Sequence, residues 1–375
     1  MPMPIRLVRW ILVAIVVVLG LPHGAGAAGD DRVVLVTIDG FRWQEVFGGA
    51  EEKMFDARAG GVKDLDGLKR RYWRETPEAR RETLMPFFWN VIARQGQVFG
   101  DPSRSARVKL LNGQKFSYPG YNEILCGFPD DRINSNDKNP NPNVNVLEFL
   151  NGRPGLTARV GAYATWDVFP SILNAGRSKL RVVSGWEPIT DDKPLTDVER
   201  QLNELMPDLP KIWPNNALDV ITARAAMEHL RKHKPRVLFI GFGETDEWAH
   251  ARRYDCYLDA ANRNDAYLKH LWETLQSMPE YAGRTSLVVT TDHGRGSTKL
   301  DWTDHGKDVE GAEFMWAAVI GPKTPSLGVR EGIESTQGQI AATVAALVGE
   351  DFVAASPKSA PPLDRAVGAT AGASR

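Results

Sequence analysis

The sequence has very little cysteine and almost no net charge. Cys126 and Cys256 are the two cysteines among 375 residues, too few for a disulfide framework or a zinc ribbon. They could pair in an oxidising compartment, but nothing in the sequence requires it. The formal net charge of −1 gives no indication of a surface that binds nucleic acid. Hydrophobic residues make up 42% and charged residues 25% of the chain, as in ordinary globular proteins.

The longest hydrophobic run of the sequence is short and lies close to its start. Trp10–Leu21 follows Arg6 and Arg9 and precedes the small residues 25–27. The run is shorter than the ~20 residues of a membrane-spanning helix. The pattern is typical of a secretory signal peptide, with a membrane anchor as the alternative. We therefore predict export to the periplasm or the medium, with no stable membrane span after cleavage.

Composition divides the chain into three parts. The segment after residue 352 is rich in Ala, Pro, Gly and Ser and lacks apolar periodicity, which is typical of disorder. The predicted parts are a signal peptide over 1–27, a catalytic domain over 28–352 and a disordered tail over 353–375.

Four short, apolar, β-branched segments read as buried strands, and helical sequence lies between them. This alternation predicts an α/β fold with a mostly parallel central sheet and helices on both faces. Helices are expected within 84–96, 215–235 and 257–278. The segments 42–82, 130–145 and 177–214 look like insertions. The four predicted strands are Val33–Ile38, Val237–Phe242, Ser286–Thr291 and Met315–Ile320.

Acidic and imidazole side chains recur where these strands end, the edge at which open α/β sheets bind ligands. Each one alone reads as an ordinary turn, surface or core residue. Three carboxylates and three imidazoles together are too many polar groups to bury without a cation. Mixed Asp and His ligation suits zinc, with manganese or iron possible, and six ligands fit two divalent ions better than one. The six residues are Asp39, Asp246, His250, Asp292, His293 and His305.

A two-metal site also needs a nucleophile, and Ser117 is the candidate. It precedes Pro119, and a helix is expected to start near Asn122. A hydroxyl near a helix N-terminus feels the positive end of the helix dipole, and a metal would lower its pKa further. The alternative is a serine that caps a turn or a helix.

These motifs, in this order, resemble the alkaline phosphatase superfamily, and most closely its type I phosphodiesterase and nucleotide pyrophosphatase branch. The segments that carry the resemblance read VTIDGFR, MPFFWNVIARQGQVFG, KFSYPGYNEILCG, GETDEWAH, TTDHGRG and DHG. The resemblance implies that Asp246, His250 and His305 bind one metal. It implies that the second metal is bound by Asp39, Ser117, Asp292 and His293.

Three positions at which the sequence can be compared with branches of the superfamily bear on whether the substrate is a sulfate ester, a phosphate monoester or a phosphate diester. Sulfatases carry an arginine four residues after the residue that becomes formylglycine, and Tyr121 stands at that position here. The arginine that grips phosphate in classical phosphomonoesterases has no matching motif. Diesterase members use an asparagine downstream of the nucleophile, for which Asn136 and Asn134 are candidates, with simple loop composition as the alternative. Tyr118, Tyr121, Trp43 and Trp166 are candidate stacking surfaces for a leaving group.

The sequence thus predicts an exported two-metal hydrolase of phosphoric esters, which acts on a small molecule through a phosphoserine. One alternative is a sulfate-ester or phosphonate hydrolase on the same site. The other is a metal-dependent binding protein without turnover.

Overall fold

The computed structural model describes residues 30–368. The predicted signal peptide and residues 369–375 lie outside this part of the chain. Within residues 30–368, no helix combines the length and the apolar character needed to cross a bilayer.

Eleven strands form two sheets in the described residues. The large sheet has the order β10-β2-β9-β7-β1-β6-β4-β5, and β11, β3 and β8 form a small second sheet. All pairs of the large sheet are parallel except those that β9 makes with β2 and β7. The strands are β1 (Arg32–Ile38), β2 (Gln97–Phe99), β3 (Arg107–Lys109), β4 (Val160–Ala164), β5 (Arg181–Ser184), β6 (Val237–Phe242), β7 (Thr285–Thr290), β8 (Phe314–Met315), β9 (Ala317–Ile320), β10 (Gly328–Val329) and β11 (Glu334–Thr336).

Helices cover both faces of the large sheet. Short 3₁₀ helices occur at Glu52–Met54, Pro102–Arg104 and Met206–Asp208, and one π-helical turn at Phe88–Ile92. The α-helices are α1 (Trp43–Gly48), α2 (Leu65–Tyr72), α3 (Pro77–Leu84), α4 (Ala93–Gln95), α5 (Ser117–Cys126), α6 (Val146–Asn151), α7 (Phe169–Ile172), α8 (Ala175–Ser178), α9 (Asp197–Leu205), α10 (Asp219–His233), α11 (Glu244–His250), α12 (Tyr254–Ser277), α13 (Gln339–Leu347) and α14 (Phe352–Ala355).

The central strand β1 shows why this sequence forms a buried parallel sheet. Every residue of β1 is buried. Alternate side chains of a strand point to opposite faces, and Val34 and Val36 accordingly enter one hydrophobic core while Val33 and Leu35 enter the other. A strand that is covered on both faces needs a continuous apolar sequence, which is the pattern that β1 has. The predicted α/β class with a mostly parallel sheet is confirmed.

Three details of the predicted elements are wrong. The predicted last strand is split into β8 and β9, which belong to different sheets. The segment 177–214 is more than an insertion, because it contains the edge strand β5. The helix α5 begins at Ser117 itself, earlier than the expected start near Asn122.

The tail expected to be disordered is packed for most of its length. Residues 353–368 follow the domain surface, and the side chains of Leu363 and Ala366 are buried in one of the two cores. Backbone oxygens of this segment accept hydrogen bonds from the Gln339 and Arg330 side chains. The composition suggested disorder because the segment is rich in Ala, Pro, Gly and Ser and lacks apolar periodicity, but these few contacts dock it onto the domain.

Cys126 and Cys256 are both free, so the disulfide that the sequence permitted is not formed.

Candidate metal centre

The sheet register places the ends of three strands side by side. Thr37 of β1 lies level with Gly241 of β6 and with Thr290 of β7. Because these strands are parallel, the residues that follow them emerge at the same edge. Asp39 follows β1, Asp246 lies in α11 just after β6, and the pair of Asp292 and His293 follows β7.

One cluster is built around the His293 imidazole. Its Nε2 atom lies 3.5 Å from Asp39 Oδ1, 3.4 Å from Asp292 Oδ2 and 3.3 Å from Ser117 Oγ. The three acidic and imidazole side chains are buried, and ligand atoms from each lie within 4.8 Å of one another. The residues predicted for one ion thus converge.

The second cluster is built around the Asp246 carboxylate. Asp246 Oδ2 lies 3.2 Å from His250 Nε2, and Asp246 Oδ1 lies 3.8 Å from His305 Nε2. The two imidazole Nε2 atoms are only 2.9 Å apart. Asp246 and His250 face the same side because they are four residues apart in α11. Asp246 Oδ1 also lies 3.6 Å from His293 Nε2, so the two clusters adjoin.

Two glycines allow this convergence. Gly40 has a left-handed φ of 58° and donates its backbone N–H to Asp292 Oδ1 at 3.0 Å. A Cβ atom at Gly40 would lie 2.5 Å from Asp246 Oδ1, so any larger residue would collide with a site carboxylate. At Gly294, a Cβ atom would lie 2.3 Å from the Phe314 carbonyl oxygen. The turn after Asp292 and His293 therefore needs glycine.

The chemistry of these donor atoms fits divalent cations. Asp39 Oδ1 and Asp292 Oδ2 are buried without a hydrogen-bond partner, a costly arrangement unless a cation compensates it. His293 Nδ1 lies 2.9 Å from the Gly294 carbonyl oxygen. That bond keeps a proton on Nδ1, so Nε2 is the ring atom that a metal ion would displace a proton from and bind, as in metal-binding histidines.

The pKa values reflect the crowding of like charges. Burial, followed by the charge of Asp246, raises the pKa of Asp39, and burial with the charge of Asp39 raises the pKa of Asp292 well above its ordinary value. Burial alone would lower the pKa of His293, but Asp292 and the neighbouring carboxylates raise it to about 9. The site therefore stabilises positive charge at its centre.

Sequence reasoning missed Arg295, which is 1% exposed. Its guanidinium pairs with Asp246 Oδ1 and donates to the Asp246 backbone oxygen at 3.1 Å. Burial would raise the pKa of Asp246, but Arg295 and then His250 hold it well below its usual range. The only sequence signal was the position of Arg295, two residues after His293.

The nucleophile candidate and one asparagine lie together at the start of α5. Ser117 is the first residue of this helix, so its hydroxyl is close to the positive end of the helix dipole. Asn136 Oδ1 accepts the Tyr118 backbone N–H at 3.0 Å. Asn136 also lines the cavity at the metal centre. Asn134 is exposed and does not line that cavity.

The four aromatic residues predicted as stacking surfaces lie in different environments. Tyr121 donates to Asp39 Oδ2 at 2.9 Å, and Tyr118 donates to the Asn139 carbonyl oxygen. Trp43 lines a separate cavity of about 1190 Å³. Only Trp166, of the four, lines the cavity at the metal centre.

That cavity has a volume of about 340 Å³, and its wall includes polar residues that the sequence did not single out. Asn216 donates a side-chain N–H to the Glu247 carboxylate. Burial and then the charge of Asp246 raise the pKa of Glu247 to about 7. The lining residues are Asp39, Ser117, Asn136, Trp166, Asn215, Asn216, Gly243, Asp246, Glu247, His250 and His305.

Comparisons with known proteins agree with this architecture. Residues 213–349 match the family described as the Metalloenzyme superfamily, and this segment contains five of the six predicted acidic and imidazole ligands. No curated protein matches the sequence.

Several solved structures are similar to this chain at low sequence identity. Phosphonate monoester hydrolase from Silicibacter pomeroyi is 13% identical, with 91% of this chain and 78% of that chain covered and a TM-score of 0.55. Murine ectonucleotide pyrophosphatase/phosphodiesterase 5 is 12% identical, with 86% of this chain and 96% of that chain covered and a TM-score of 0.50. A protein in the alkaline phosphatase superfamily from Vibrio parahaemolyticus is 12% identical, with 86% of this chain and 67% of that chain covered and a TM-score of 0.49. The predicted resemblance is thus confirmed as a likeness of fold, and residues 213–349 match the Metalloenzyme superfamily.

Proposed function

We propose that this protein is a two-metal phosphoric-ester hydrolase with Ser117 as its nucleophile. The observation that carries the proposal is the position of Ser117 Oγ, 3.3 Å from His293 Nε2 at the start of α5. The same cavity is lined by members of both ligand clusters. Substrate, nucleophile and metal ligands can therefore meet in one place.

Two divalent ions, which we propose to be zinc, would supply Lewis-acid stabilisation of the charge that develops on the reacting oxygens. Asp246, His250 and His305 would hold one ion. The other would be held by Asp39, Asp292, His293 and Ser117.

The residues of the chain account for the remaining steps. Loss of the Ser117 hydroxyl proton to solvent would be favoured by the dipole of α5 together with the ion that Ser117 would help to hold. The resulting Ser117 oxygen attacks phosphorus in line with the leaving oxygen. The P–O bond to the leaving group breaks, and a phosphoserine forms. Water then hydrolyses the phosphoserine and regenerates Ser117. We propose that Asn136 Nδ2 donates a hydrogen bond to a non-bridging phosphate oxygen.

The charges of the cavity favour a phosphate diester over a monoester. A monoester dianion is best gripped by a bidentate arginine. No arginine or lysine lines the cavity in the described residues. Arg295 is buried against Asp246 and is not part of the lining. A neutral donor such as Asn136 suits the single negative charge of a diester.

Turnover of chromogenic esters tests this function. With zinc added, we expect kcat/KM for bis-p-nitrophenyl phosphate to exceed that for p-nitrophenyl phosphate and for p-nitrophenyl sulfate. Preference for the sulfate, or for a phosphonate ester, would support the alternative hydrolase on the same site.

Replacement of Ser117, the proposed nucleophile, tests whether the protein is a hydrolase or a metal-dependent binding protein. Ser117→Ala should abolish turnover and leave most of the bound metal in place, whereas Ser277→Ala, at an exposed helix end, should change neither. Substantial residual activity of Ser117→Ala would remove Ser117 from the mechanism. Metal-loaded wild-type protein without any turnover would favour the binding protein.

We also propose that the enzyme acts after export, on the basis of the sequence pattern over residues 1–27. Mass spectrometry of the protein recovered from the periplasm or medium should give a mature chain that starts close to residue 28. Recovery of the intact chain from the membrane fraction would contradict this.

A further inference from the structure

The buried side chain of Arg295 connects α11 to the segment that carries His305. Its guanidinium pairs with the Asp246 carboxylate and donates to the Asp246 backbone oxygen at 3.1 Å, and both acceptors belong to α11. The same guanidinium donates to the backbone oxygen of Thr303, two residues before His305. Arg295 and Thr303 are both buried, so these contacts are shielded from water. One side chain therefore fixes α11 relative to the His305 segment.

The contact between Arg295 and Asp246 leaves one carboxylate oxygen available as a ligand atom. Arg295 pairs with Oδ1, whereas Oδ2 lies 3.2 Å from His250 Nε2. Because Arg295 holds both Oδ1 and the backbone oxygen of Asp246, it also fixes the direction of Oδ2. Partners that orient a metal-binding carboxylate in this way contribute to metal affinity, and their loss typically costs about 10- to 100-fold.

The other ligand cluster has supports of its own. Asp292 Oδ1 accepts the Gly40 backbone N–H at 3.0 Å, and Asp39 Oδ2 accepts the Tyr121 hydroxyl at 2.9 Å. Within residues 30–368, no hydrogen bond of the Arg295 side chain reaches either of these carboxylates. Arg295 therefore supports the two clusters unequally, although it follows the second one closely in sequence.

Charge and positioning make opposite predictions for Arg295. With a divalent ion in place, the guanidinium is a further positive charge beside Asp246, and the two positive charges repel each other. Removal of the guanidinium charge alone would therefore strengthen binding of that ion. Removal of the contacts that orient Asp246 and the His305 segment would weaken it. The direction of the change in affinity thus shows which effect dominates.

We propose that Arg295 is a positioning residue for the ion of the Asp246 cluster and not for the other ion. This inference deepens the proposed function, and it rests on the two ions proposed there. Arg295 keeps the Asp246 carboxylate and the His305 segment in the arrangement that this ion needs, and this effect exceeds the repulsion by its own charge. The site of the other ion forms without Arg295.

Zinc titration against a chromophoric chelator tests the proposal. In Arg295→Met, which removes the charge and the donors, one ion should bind as in the wild type and the other about 10- to 100-fold more weakly. Arg295→Lys keeps the charge but loses the planar set of donors, so the same ion should bind more weakly there too. With cobalt(II) as the probe, the visible absorption of one of the two ions should change and that of the other should not.

Arg330→Met is the matched control. Arg330 is also buried, and its guanidinium also donates to a carboxylate and to a backbone oxygen, both of Asp364. Its replacement should leave the affinity for both ions unchanged, because Arg330 contacts neither ligand cluster.

A double variant identifies the affected ion. His250→Ala removes a ligand of the Asp246 cluster, so the ion that stays bound belongs to the other cluster. Addition of Arg295→Met to His250→Ala should leave the affinity for this remaining ion unchanged. Weaker binding of the remaining ion in the double variant would overturn the inference. So would equal weakening of both ions in Arg295→Met, or zinc binding there as tight as in the wild type or tighter. Fewer than two bound ions in the wild type would instead refute the two-metal centre of the proposed function, and the inference with it.

Discussion

Replacement of Tyr121 by phenylalanine should weaken metal binding without disturbing the fold. The Tyr121 hydroxyl donates to Asp39 Oδ2 at 2.9 Å, and both side chains are buried. Asp39 Oδ1 has no partner and remains available as a ligand atom. The hydroxyl therefore orients a carboxylate that we propose as a metal ligand. The Tyr121 ring packs edge to face against the Phe169 ring, with the ring centroids 4.7 Å apart, and phenylalanine at position 121 would preserve this contact.

The magnitude follows from the kind of bond that is lost. A hydrogen bond to a charged group contributes about 1.5–3 kcal/mol. Since about 1.4 kcal/mol corresponds to tenfold in a binding constant, zinc affinity should fall by about 10- to 100-fold. Competition with a chromophoric chelator measures this directly, and near-ultraviolet circular dichroism checks that the packing is unchanged.

Tyr118→Phe is the matched control. Tyr118 is a buried tyrosine of the same helix, but its hydroxyl donates to the Asn139 carbonyl oxygen. Its replacement should leave zinc affinity unchanged. The reasoning is refuted if Tyr121→Phe binds zinc as tightly as the wild type, or if the two variants lose affinity equally.

Three further predictions follow from single contacts. Asn136→Ala should lower kcat/KM for the diester by about 10-fold or more at unchanged zinc content, because a hydrogen-bond donor to the transition state is lost. Asn134→Ala should leave kcat/KM unchanged. If both variants lose activity equally, Asn136 is not the substrate-binding asparagine. Leu363→Ala should reduce the free energy of unfolding by about 2–5 kcal/mol in urea titrations, since Leu363 is 2% exposed, whereas Leu300→Ala, at 81% exposure, should have little effect. Burial and then His233 lower the pKa of His229 from 6.5 to about 3 in the folded protein, so between these pH values only the unfolded chain gains a proton and stability falls as the pH falls. From this one group, the slope of the free energy of unfolding against pH approaches about 1.4 kcal/mol per pH unit. Urea titrations should therefore show that His229→Gln loses less stability than the wild type between pH 6 and pH 4. If the two proteins lose stability equally over this range, His229 is not a buried neutral imidazole.

The sequence predicts the centre of the sheet better than its edge. β1 and β6 are buried on both faces, so their residues form continuous apolar runs that composition alone reveals. β4 reads VGAYA and consists mostly of small residues, and β5 is a four-residue edge strand that is only partly buried. Neither has an apolar run of the kind that distinguishes a strand from a loop. Their positions are fixed by pairing with β6 and with each other, which a local pattern does not contain.

The same contrast holds for the end of the domain. Residues 353–368 have the composition of a disordered segment. They are nevertheless held by a few specific contacts, among them the burial of Leu363 and its backbone bond to Thr343 Oγ1 at 2.9 Å. Composition averages over a segment, whereas docking depends on one or two side chains that find a site on the surface.

In the candidate site, what could be predicted depends on how each residue is attached to the sheet. Asp39 directly follows β1 and Asp292 lies two residues after the end of β7, and the parallel register alone brings such residues to one edge. Arg295 and Glu247 matter through partners that are distant in sequence: Arg295 pairs with Asp246 across 49 residues, and Glu247 with Asn216 across 31. No spacing rule reports pairs of this kind. The proposed metal ligands are therefore readable from strand ends, while residues such as Arg295 and Glu247 are recognised only when separate loops are folded together.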